Sequence, residues 1–248
     1  MDNYEALVHS GFEDGKPDTD HPEVLAWLIR RNGLEMARIS RGSHIGSVFS
    51  VAEIIAVLYT GVLNVNPRDP AMKNRDRLIL SKGHAGSAVY AALAERGFFP
   101  VEQLKTHYGN GSILSGHVSH KGIPGVEVST GSLGHGLPIG AGMALGARMD
   151  GDSWRTWVVL GDGECDEGSV WEAALQAAQF GLDRLCAIVD YNHMQSLFTV
   201  EKTLRLDPLS RNGRISAGTR RAWTAMTSMP FGQPARGPWR TPAAAGPA

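Results

Sequence analysis

Short runs of apolar residues alternate along this chain with longer segments in which apolar residues recur at helical spacing. The runs at 77–80, 156–160 and 185–189 are rich in Val, Ile and Leu, so each predicts a buried strand. Helices are predicted over 22–39, 51–63, 87–96, 140–149 and from residue 170 onward. Strands that alternate with helices are typical of an α/β fold, and we expect an open parallel sheet flanked by helices and truncated at its C-terminal end.

Polar residues mark where the first two helices should begin. Asp20 is a plausible N-cap of the first helix, with Pro22 in the first turn. Ser50 is a plausible N-cap of the second helix, and Glu53 would complete a capping box with it. The spacing therefore predicts that the glycine- and serine-rich stretch before Ser50 is a loop.

Three predicted loops combine glycine or serine with a histidine, at His44, His84 and His117. The His84 loop directly follows the strand predicted at 77–80, and His117 lies in a long irregular stretch over 112–136. Functional loops of open α/β sheets follow the carboxyl ends of strands, and long irregular stretches in compact domains are usually functional or disordered. The three histidines are therefore candidate site residues.

A Gly-Asp-Gly tripeptide, Gly161 to Gly163, ends the run at 156–160, and Asn192 follows the next run about 30 positions later. Asp162 and Asn192 should therefore lie at the carboxyl ends of two parallel strands. Carboxylate and amide oxygens suit Mg²⁺, and glycines let backbone N–H groups approach phosphate oxygens. A lone Gly-Asp-Gly also makes an ordinary turn, but its pairing with Asn192 favours a diphosphate held through a metal.

Composition narrows the class of protein. The chain has 248 residues and a net charge of −1, which implies no general affinity for nucleic acid or anionic membranes. Cys165 and Cys186 lack metal-ligand spacing and are expected to be free thiols in a reducing compartment. Because no apolar run reaches the length of a membrane span, we expect a soluble cytoplasmic protein with no membrane partner.

The two ends of the chain differ from the middle. Residues 1–20 are polar and predict a flexible arm, whereas 21–208 carry all the predicted elements. Residues 209–248 are rich in Arg, Gly, Pro and Ala without a sustained period, which predicts an irregular tail. This tail is either a native disordered extension or, as we favour, a segment read in a shifted codon frame after a one-base deletion near codon 209 or 210. In the shifted frame Trp223-Thr224 and Met226-Thr227 each conceal an Asp codon.

Five pieces of the sequence occur in the order found in one enzyme family: 43–46 around His44, 80–84 around His84, 115–117, 125–134, and Gly161-Asp162-Gly163 with Asn192. Together they resemble the N-terminal, diphosphate-binding part of transketolases, and most closely the N-terminal subunit of split transketolases. The resemblance covers about residues 22 to 204. It implies a thiamine-diphosphate-binding fold.

The resemblance also implies roles for individual residues. His44, His84 and His117 would line the substrate channel and assist proton transfer, with His84 contacting the cofactor. Further cofactor contacts would come from Gly131, Ser132, Leu133, Gly161, Asp162, Gly163, Glu167 and Asn192. Asp162, Asn192 and the Met194 carbonyl would bind Mg²⁺, and Glu167 would lie near a subunit interface. His135 stands where this family commonly has Gln, so it receives no catalytic role.

The implied activity is transfer of a two-carbon ketol unit from a ketose phosphate to an aldose acceptor, with thiamine diphosphate and Mg²⁺ as cofactors. Enzymes of this type also need a glutamate from a pyrimidine-binding domain, which this sequence does not contain. The resemblance therefore implies a C-terminal partner subunit, a dimer of heterodimers, and no activity for this chain alone. The alternatives are another thiamine-dependent enzyme, similar to 1-deoxyxylulose-5-phosphate synthase, or an inactive or regulatory truncated subunit. A nicotinamide-binding domain is disfavoured because no Gly-x-Gly-x-x-Gly opens a helix after a first strand.

Overall fold

The computed structural model describes residues 17–42 and 44–206 and, for the backbone alone, 12–13, 16 and 223–227. The helices are α1 (Pro22–Ser40), α2 (Ile45–Val57), α3 (Gly86–Glu95), α4 (Gly136–Asp150), α5 (Gly168–Gln179) and α6 (Val200–Thr203). The strands are β1 (Phe12–Glu13), β2 (Lys16–Pro17), β3 (Arg77–Leu80), β4 (Thr156–Gly161), β5 (Leu185–Tyr191) and β6 (Trp223–Thr227). A π-helical turn at Leu58–Val62 extends α2, and 3-10 turns lie at Gly83–Ala85, Val101–Thr106 and Gly163–Asp166.

The main sheet is parallel throughout, with the strand order β3-β4-β5-β6. Every residue of β4 is buried, because helices cover both faces of the sheet. On one face Leu80, Val159 and Ile188 pack with α1, α2 and α3. On the opposite face Val158 and Val189 pack with α4 and α5. The predicted α/β fold with an open parallel sheet flanked by helices is confirmed.

The two terminal segments lie mostly outside the described residues. Within the predicted arm, β1 and β2 pair antiparallel, with Phe12 opposite Pro17. Within the predicted irregular tail, the five residues of β6 are extended instead and pair in parallel with β5, where Ala187 lies opposite Trp223. The prediction of irregular structure is therefore wrong for these five residues. The rest of 209–248 lies outside the described part of the chain.

Both predicted N-caps are wrong. His21 precedes α1 as its N-cap, without a capping bond from its side chain, while Asp20 forms an ion pair with Arg96. The second helix begins at Ile45, so Ser50 lies inside α2 and its hydroxyl bonds to the sheet instead. A hydroxyl next to an apolar run resembles a cap in sequence, but here a buried acceptor on β5 takes its hydrogen bond.

One stretch, Ile45–Val62, is long and apolar enough by length and composition to cross a membrane. This corrects the expectation that no segment of the chain reaches that length. Val51 and Ile55 in this stretch are fully buried, and α2 packs between α1 and α3. Core helices of folded domains meet the same criterion, and the packing of α2 is of that kind.

Candidate functional site

The carboxyl ends of β3, β4 and β5 meet at one edge of the sheet because the three strands are parallel. Asp162 follows β4 there and is only 2% exposed. Its Oδ1 accepts a hydrogen bond from the Gly163 amide at 2.8 Å, and its Oδ2 accepts one from the His193 amide at 2.7 Å. Burial raises the pKa of Asp162, while the two amides oppose that change. This carboxylate therefore joins the loops that follow β4 and β5.

Asn192 lies beside Asp162 in the turn after β5. Its Oδ1 accepts from the Met194 amide at 2.9 Å, and its Nδ2 donates to the Ser50 hydroxyl at 3.0 Å. His193, between Asn192 and Met194, adopts a left-handed φ of 62°, a conformation that is uncommon for residues other than glycine. This turn aims the His193 amide at Asp162 while the side chain of Asn192 stays at the strand tip.

The third oxygen that the resemblance predicts as a metal ligand is the Met194 carbonyl. Met194 pairs antiparallel with Thr199, and the hydrogen bonds of this bridge are made by its neighbours, from Val200 to His193 at 3.1 Å and from Gln195 to Phe198 at 2.9 Å. In such a pair the N–H and C=O of the central residue face away from the partner segment. The Met194 carbonyl therefore lies on the same side as its amide, which contacts the side chain of Asn192.

These three oxygens fit Mg²⁺. A carboxylate, an amide oxygen and a backbone carbonyl are the hard donors that this ion prefers, and the Asp162 and Asn192 oxygens keep lone pairs besides their present hydrogen bonds. Among the described residues no group of three or more His, Cys, Asp or Glu could hold a metal. An ion bound at Asp162, Asn192 and Met194 would take its remaining ligands from phosphate oxygens and water, as Mg²⁺ commonly does.

A buried ion pair lies directly behind Asn192. The Lys82 ammonium contacts Asp190 Oδ2 at 2.6 Å, and the two side chains are 2% and 0% exposed. The Ser50 hydroxyl lies 2.8 Å from each oxygen of Asp190 and accepts from Asn192. Sequence reasoning missed all three of these residues. The only available signal was that Lys82 and Asp190 stand at the ends of predicted strands.

The three predicted histidines come together. The ring centroid of His44 lies 5.2 Å from that of His84 and 5.5 Å from that of His117. Burial, and then the Lys82 charge and the two other rings, lower the pKa of His84 to about 4. Burial and the neighbouring His117 lower the pKa of His44. Both rings are therefore neutral near pH 7, the state in which an imidazole nitrogen can accept a proton.

The glycine-rich loop before α4 lies against this cluster. A Cβ added at Gly131 would come within 3.6 Å of the His117 ring. Gly134 has a φ of +79°, and a Cβ there would lie 2.7 Å from Cβ of Glu167, which is exposed at the start of α5. Ser132 is exposed and Leu133 is half-buried. The predicted cofactor residues of this loop therefore lie between the histidines and the Gly-Asp-Gly turn.

Two neighbouring residues behave differently from the predicted set. His135, to which no catalytic role was assigned, contacts its own loop through Nδ1 and the Leu133 carbonyl at 2.9 Å. Glu127 forms ion pairs with Arg75 and Arg77 at the start of β3, the opposite end of the strand from the site. Glu127 therefore anchors the long loop to the start of the strand, away from the site.

Glu164 is a further residue that sequence reasoning missed. It is 1% exposed, and it accepts from the Gly134 amide at 2.9 Å, from the Gly161 amide at 3.1 Å and from the Ser81 hydroxyl. Burial raises its pKa, against the effect of these donors. In the sequence Glu164 is only the residue after Gly-Asp-Gly, and nothing local indicated that it reaches two other loops.

Comparison with known proteins identifies the family. Residues 24–211 match the family profile described as "Transketolase, thiamine diphosphate binding domain". This chain belongs to the transketolase family. It is 41% identical over 180 residues to an apulose-4-phosphate transketolase subunit of Phocaeicola vulgatus, covering 73% of this chain and 64% of that protein. It is 44% identical over 194 residues to the subunit of the same name from Actinobacillus succinogenes, covering 77% of this chain and 70% of that protein.

Solved transketolase structures share the fold. The transketolase of Leishmania mexicana is 29% identical, with a TM-score of 0.74, over 79% of this chain and 31% of that chain. The Campylobacter jejuni transketolase is 28% identical, with a TM-score of 0.73, over 78% of this chain and 31% of that chain. This member of the transketolase family therefore carries the thiamine-diphosphate-binding domain and spans about a third of these longer chains. The resemblance seen in the sequence is confirmed at the level of family and fold.

Proposed function

We propose that this chain is the diphosphate-binding subunit of a transketolase that transfers a two-carbon ketol unit from a ketose phosphate to an aldose acceptor. The observations that support the proposal are two: Asp162 and Asn192 follow the carboxyl ends of neighbouring parallel strands, and His44, His84 and His117 cluster, with His84 in the loop after β3. The family match to a thiamine-diphosphate-binding domain supports the cofactor. The donor set supports Mg²⁺ as the ion that links the cofactor to the protein.

Thiamine diphosphate, when bound, supplies a carbon nucleophile that the protein itself lacks. Asp162, Asn192 and the Met194 carbonyl would hold its diphosphate through Mg²⁺, and Gly161 and Gly163 let the backbone lie close to it. His44 and His117 are exposed, so a sugar phosphate would reach them first, while His84 is half-buried beneath them. The neutral rings of His44 and His84 would accept hydroxyl protons from the sugar at an imidazole nitrogen.

A partner subunit is the second part of the proposal. The two relatives from Phocaeicola and Actinobacillus are each named as one subunit of a transketolase, and the chain spans 64% and 70% of their lengths. Met194, Leu197 and Phe198, beside the proposed metal site, are 58%, 84% and 59% exposed, and exposed apolar groups of this kind often mark interfaces. We propose that a C-terminal, pyrimidine-binding subunit docks here and supplies the glutamate expected from a pyrimidine-binding domain. Two such heterodimers would then associate, with Glu167 near a subunit interface. Both cysteines are free thiols, in keeping with the cytoplasm as the place of assembly.

Calorimetric titration of the full chain with thiamine diphosphate, with and without MgCl₂, tests the cofactor site. We expect Mg²⁺-dependent binding, and we expect Asp162→Ala to weaken it by more than the roughly 10- to 100-fold typical of changes behind a metal ligand. Asp183→Ala, which removes an exposed carboxylate away from the strand tips, is the matched control and should leave affinity unchanged. Unaltered binding by the Asp162 variant would refute the proposed site.

The activity is tested by co-expression with a subunit that carries a pyrimidine-binding domain. We expect ketol transfer from a ketose phosphate that requires both subunits, thiamine diphosphate and Mg²⁺. Turnover of pyruvate as donor would instead indicate the 1-deoxyxylulose-5-phosphate synthase type of reaction. Absence of turnover by an assembled, cofactor-loaded complex would favour an inactive or regulatory subunit.

A further inference from the structure

We propose that Glu164 is a positioning residue that locks the three cofactor-facing loops into one rigid cradle. The inference rests on the proposed function, because it concerns how the cofactor site is held together. The three loops are those that follow β3, precede α4 and follow β4, and they carry His84, Gly131 and Asp162 respectively. Glu164, itself in the loop after β4, hydrogen-bonds to Ser81 in the loop after β3, to Gly134 in the loop before α4 and to Gly161 at the end of β4.

The bonds of Glu164 reach each loop at a backbone or hydroxyl donor. Oε1 accepts from the Gly134 amide at 2.9 Å and from the Ser81 hydroxyl, while Oε2 accepts from the Gly161 amide at 3.1 Å. The Ser81 oxygen in turn accepts from the Gly136 amide at 3.0 Å. The Glu164 carboxylate therefore binds donors that are distant in sequence, since Ser81 lies 83 positions and Gly134 lies 30 positions before it.

This arrangement needs an acceptor on both ends of the side-chain group. A carboxylate offers lone pairs on both oxygens, whereas the amide of Gln has an oxygen at one end and two N–H donors at the other. In Glu164→Gln the side-chain NH₂ group would point at a donor of the surrounding loops, so that two donors would face each other. The variant keeps the size and shape of Glu164 but must lose either its bond to Gly161 or its bonds to Gly134 and Ser81, which leaves a buried amide unsatisfied.

Asp76 provides a matched control at the other end of the same sheet. It is 6% exposed and accepts from the Arg155 amide at 2.7 Å and from the Asn64 amide at 3.1 Å. Asp76 lies just before β3, and each of its two oxygens accepts a hydrogen bond from a backbone amide. Asp76→Asn therefore removes the same charge as Glu164→Gln from a carboxylate with similar hydrogen bonds. A purely structural role for Glu164 predicts the same consequences from both variants.

Two measurements on the full chain separate a positioning role from a purely structural one. Hydrogen exchange should show at least one of the Gly134 and Gly161 amides exchanging about 10- to 100-fold faster in Glu164→Gln, and both at the wild-type rate in Asp76→Asn. Titration with thiamine diphosphate and MgCl₂ should show affinity weakened about 10- to 100-fold in Glu164→Gln and changed less than about threefold in Asp76→Asn. Ser81→Ala, which removes one of the three donors, should give an intermediate loss.

Equal exchange rates in the two variants would overturn the proposal, whatever the titration shows. So would wild-type cofactor affinity in Glu164→Gln. If the wild-type chain does not bind thiamine diphosphate, the proposed function fails. The exchange measurement, which needs no cofactor, still decides whether Glu164 holds the three loops together.

Discussion

The buried Lys82–Asp190 ion pair is the most severe internal constraint on this site. Lys82→Met would leave the Asp190 carboxylate, which is fully buried, with the Ser50 hydroxyl as its remaining described donor. Asp190→Asn would leave the buried Lys82 ammonium without its counter-charge. Each single variant therefore leaves an unpaired charge buried in the core, next to Ser50, to which Asn192 donates a hydrogen bond.

Breaking a buried pair by removing one partner costs about 3–5 kcal/mol of unfolding free energy. A domain of this size loses roughly 2–4 °C of melting temperature per kcal/mol, so each single variant should melt roughly 6–20 °C lower. Removing both charges in Lys82→Met/Asp190→Asn leaves no stranded charge. We expect the double variant to be more stable than either single variant, because replacing a whole buried pair by neutral groups is often nearly neutral.

Urea denaturation followed by circular dichroism measures this double-mutant cycle. The exposed Glu35–Arg38 pair on α1 is the control, and its own cycle should show no measurable coupling. Additive losses in Lys82→Met and Asp190→Asn, with the double variant the least stable, would refute the reasoning. In that case the pair would act through packing of the two side chains and not through mutual neutralisation.

Three further predictions concern pH, helix packing and the tail. Burial lowers the pKa of His84 to about 4, and the ring regains its ordinary pKa of 6.5 on unfolding. The unfolded state therefore takes up the proton first, so the stability of the domain should fall as pH drops from about 6.5 to 4. Denaturation midpoints should show this loss, and it should shrink in His84→Gln. A Cβ added at Gly140 would lie 2.5 Å from the Val158 side chain, so Gly140→Ala should destabilise the domain by about 1–3 kcal/mol, while Gly142→Ala, which meets nothing within 4 Å, should stabilise it by up to about 1 kcal/mol. Thermal unfolding of the two alanine variants checks the contrast, and equal effects would show that α4 does not pack as described. The family match ends at residue 211, near the point where we place the frame shift, so resequencing the gene should reveal a missing base there; an intact frame would end that hypothesis.

The main strands and the candidate metal-binding positions of this protein could be predicted from its residues alone. The apolar runs at 77–80, 156–160 and 185–189 became β3, β4 and β5, because a strand buried on both faces needs a continuous apolar run. The Gly-Asp-Gly and Asn192 pattern then placed a carboxylate and a side-chain amide, the metal ligands that we propose, at neighbouring strand tips. Both signals are local, since each depends on residues within a few positions and on the rule that parallel strands end at one edge.

The polar residues that support the candidate site became apparent only from the folded chain. Ser50 resembled a helix cap, but it bonds to Asp190, which is 140 positions away. Glu164 resembled part of a turn, but it reaches Ser81, which is 83 positions away. Local spacing carries no information about such partners, because they are selected by which donors and acceptors are buried together once the helices have packed on the sheet.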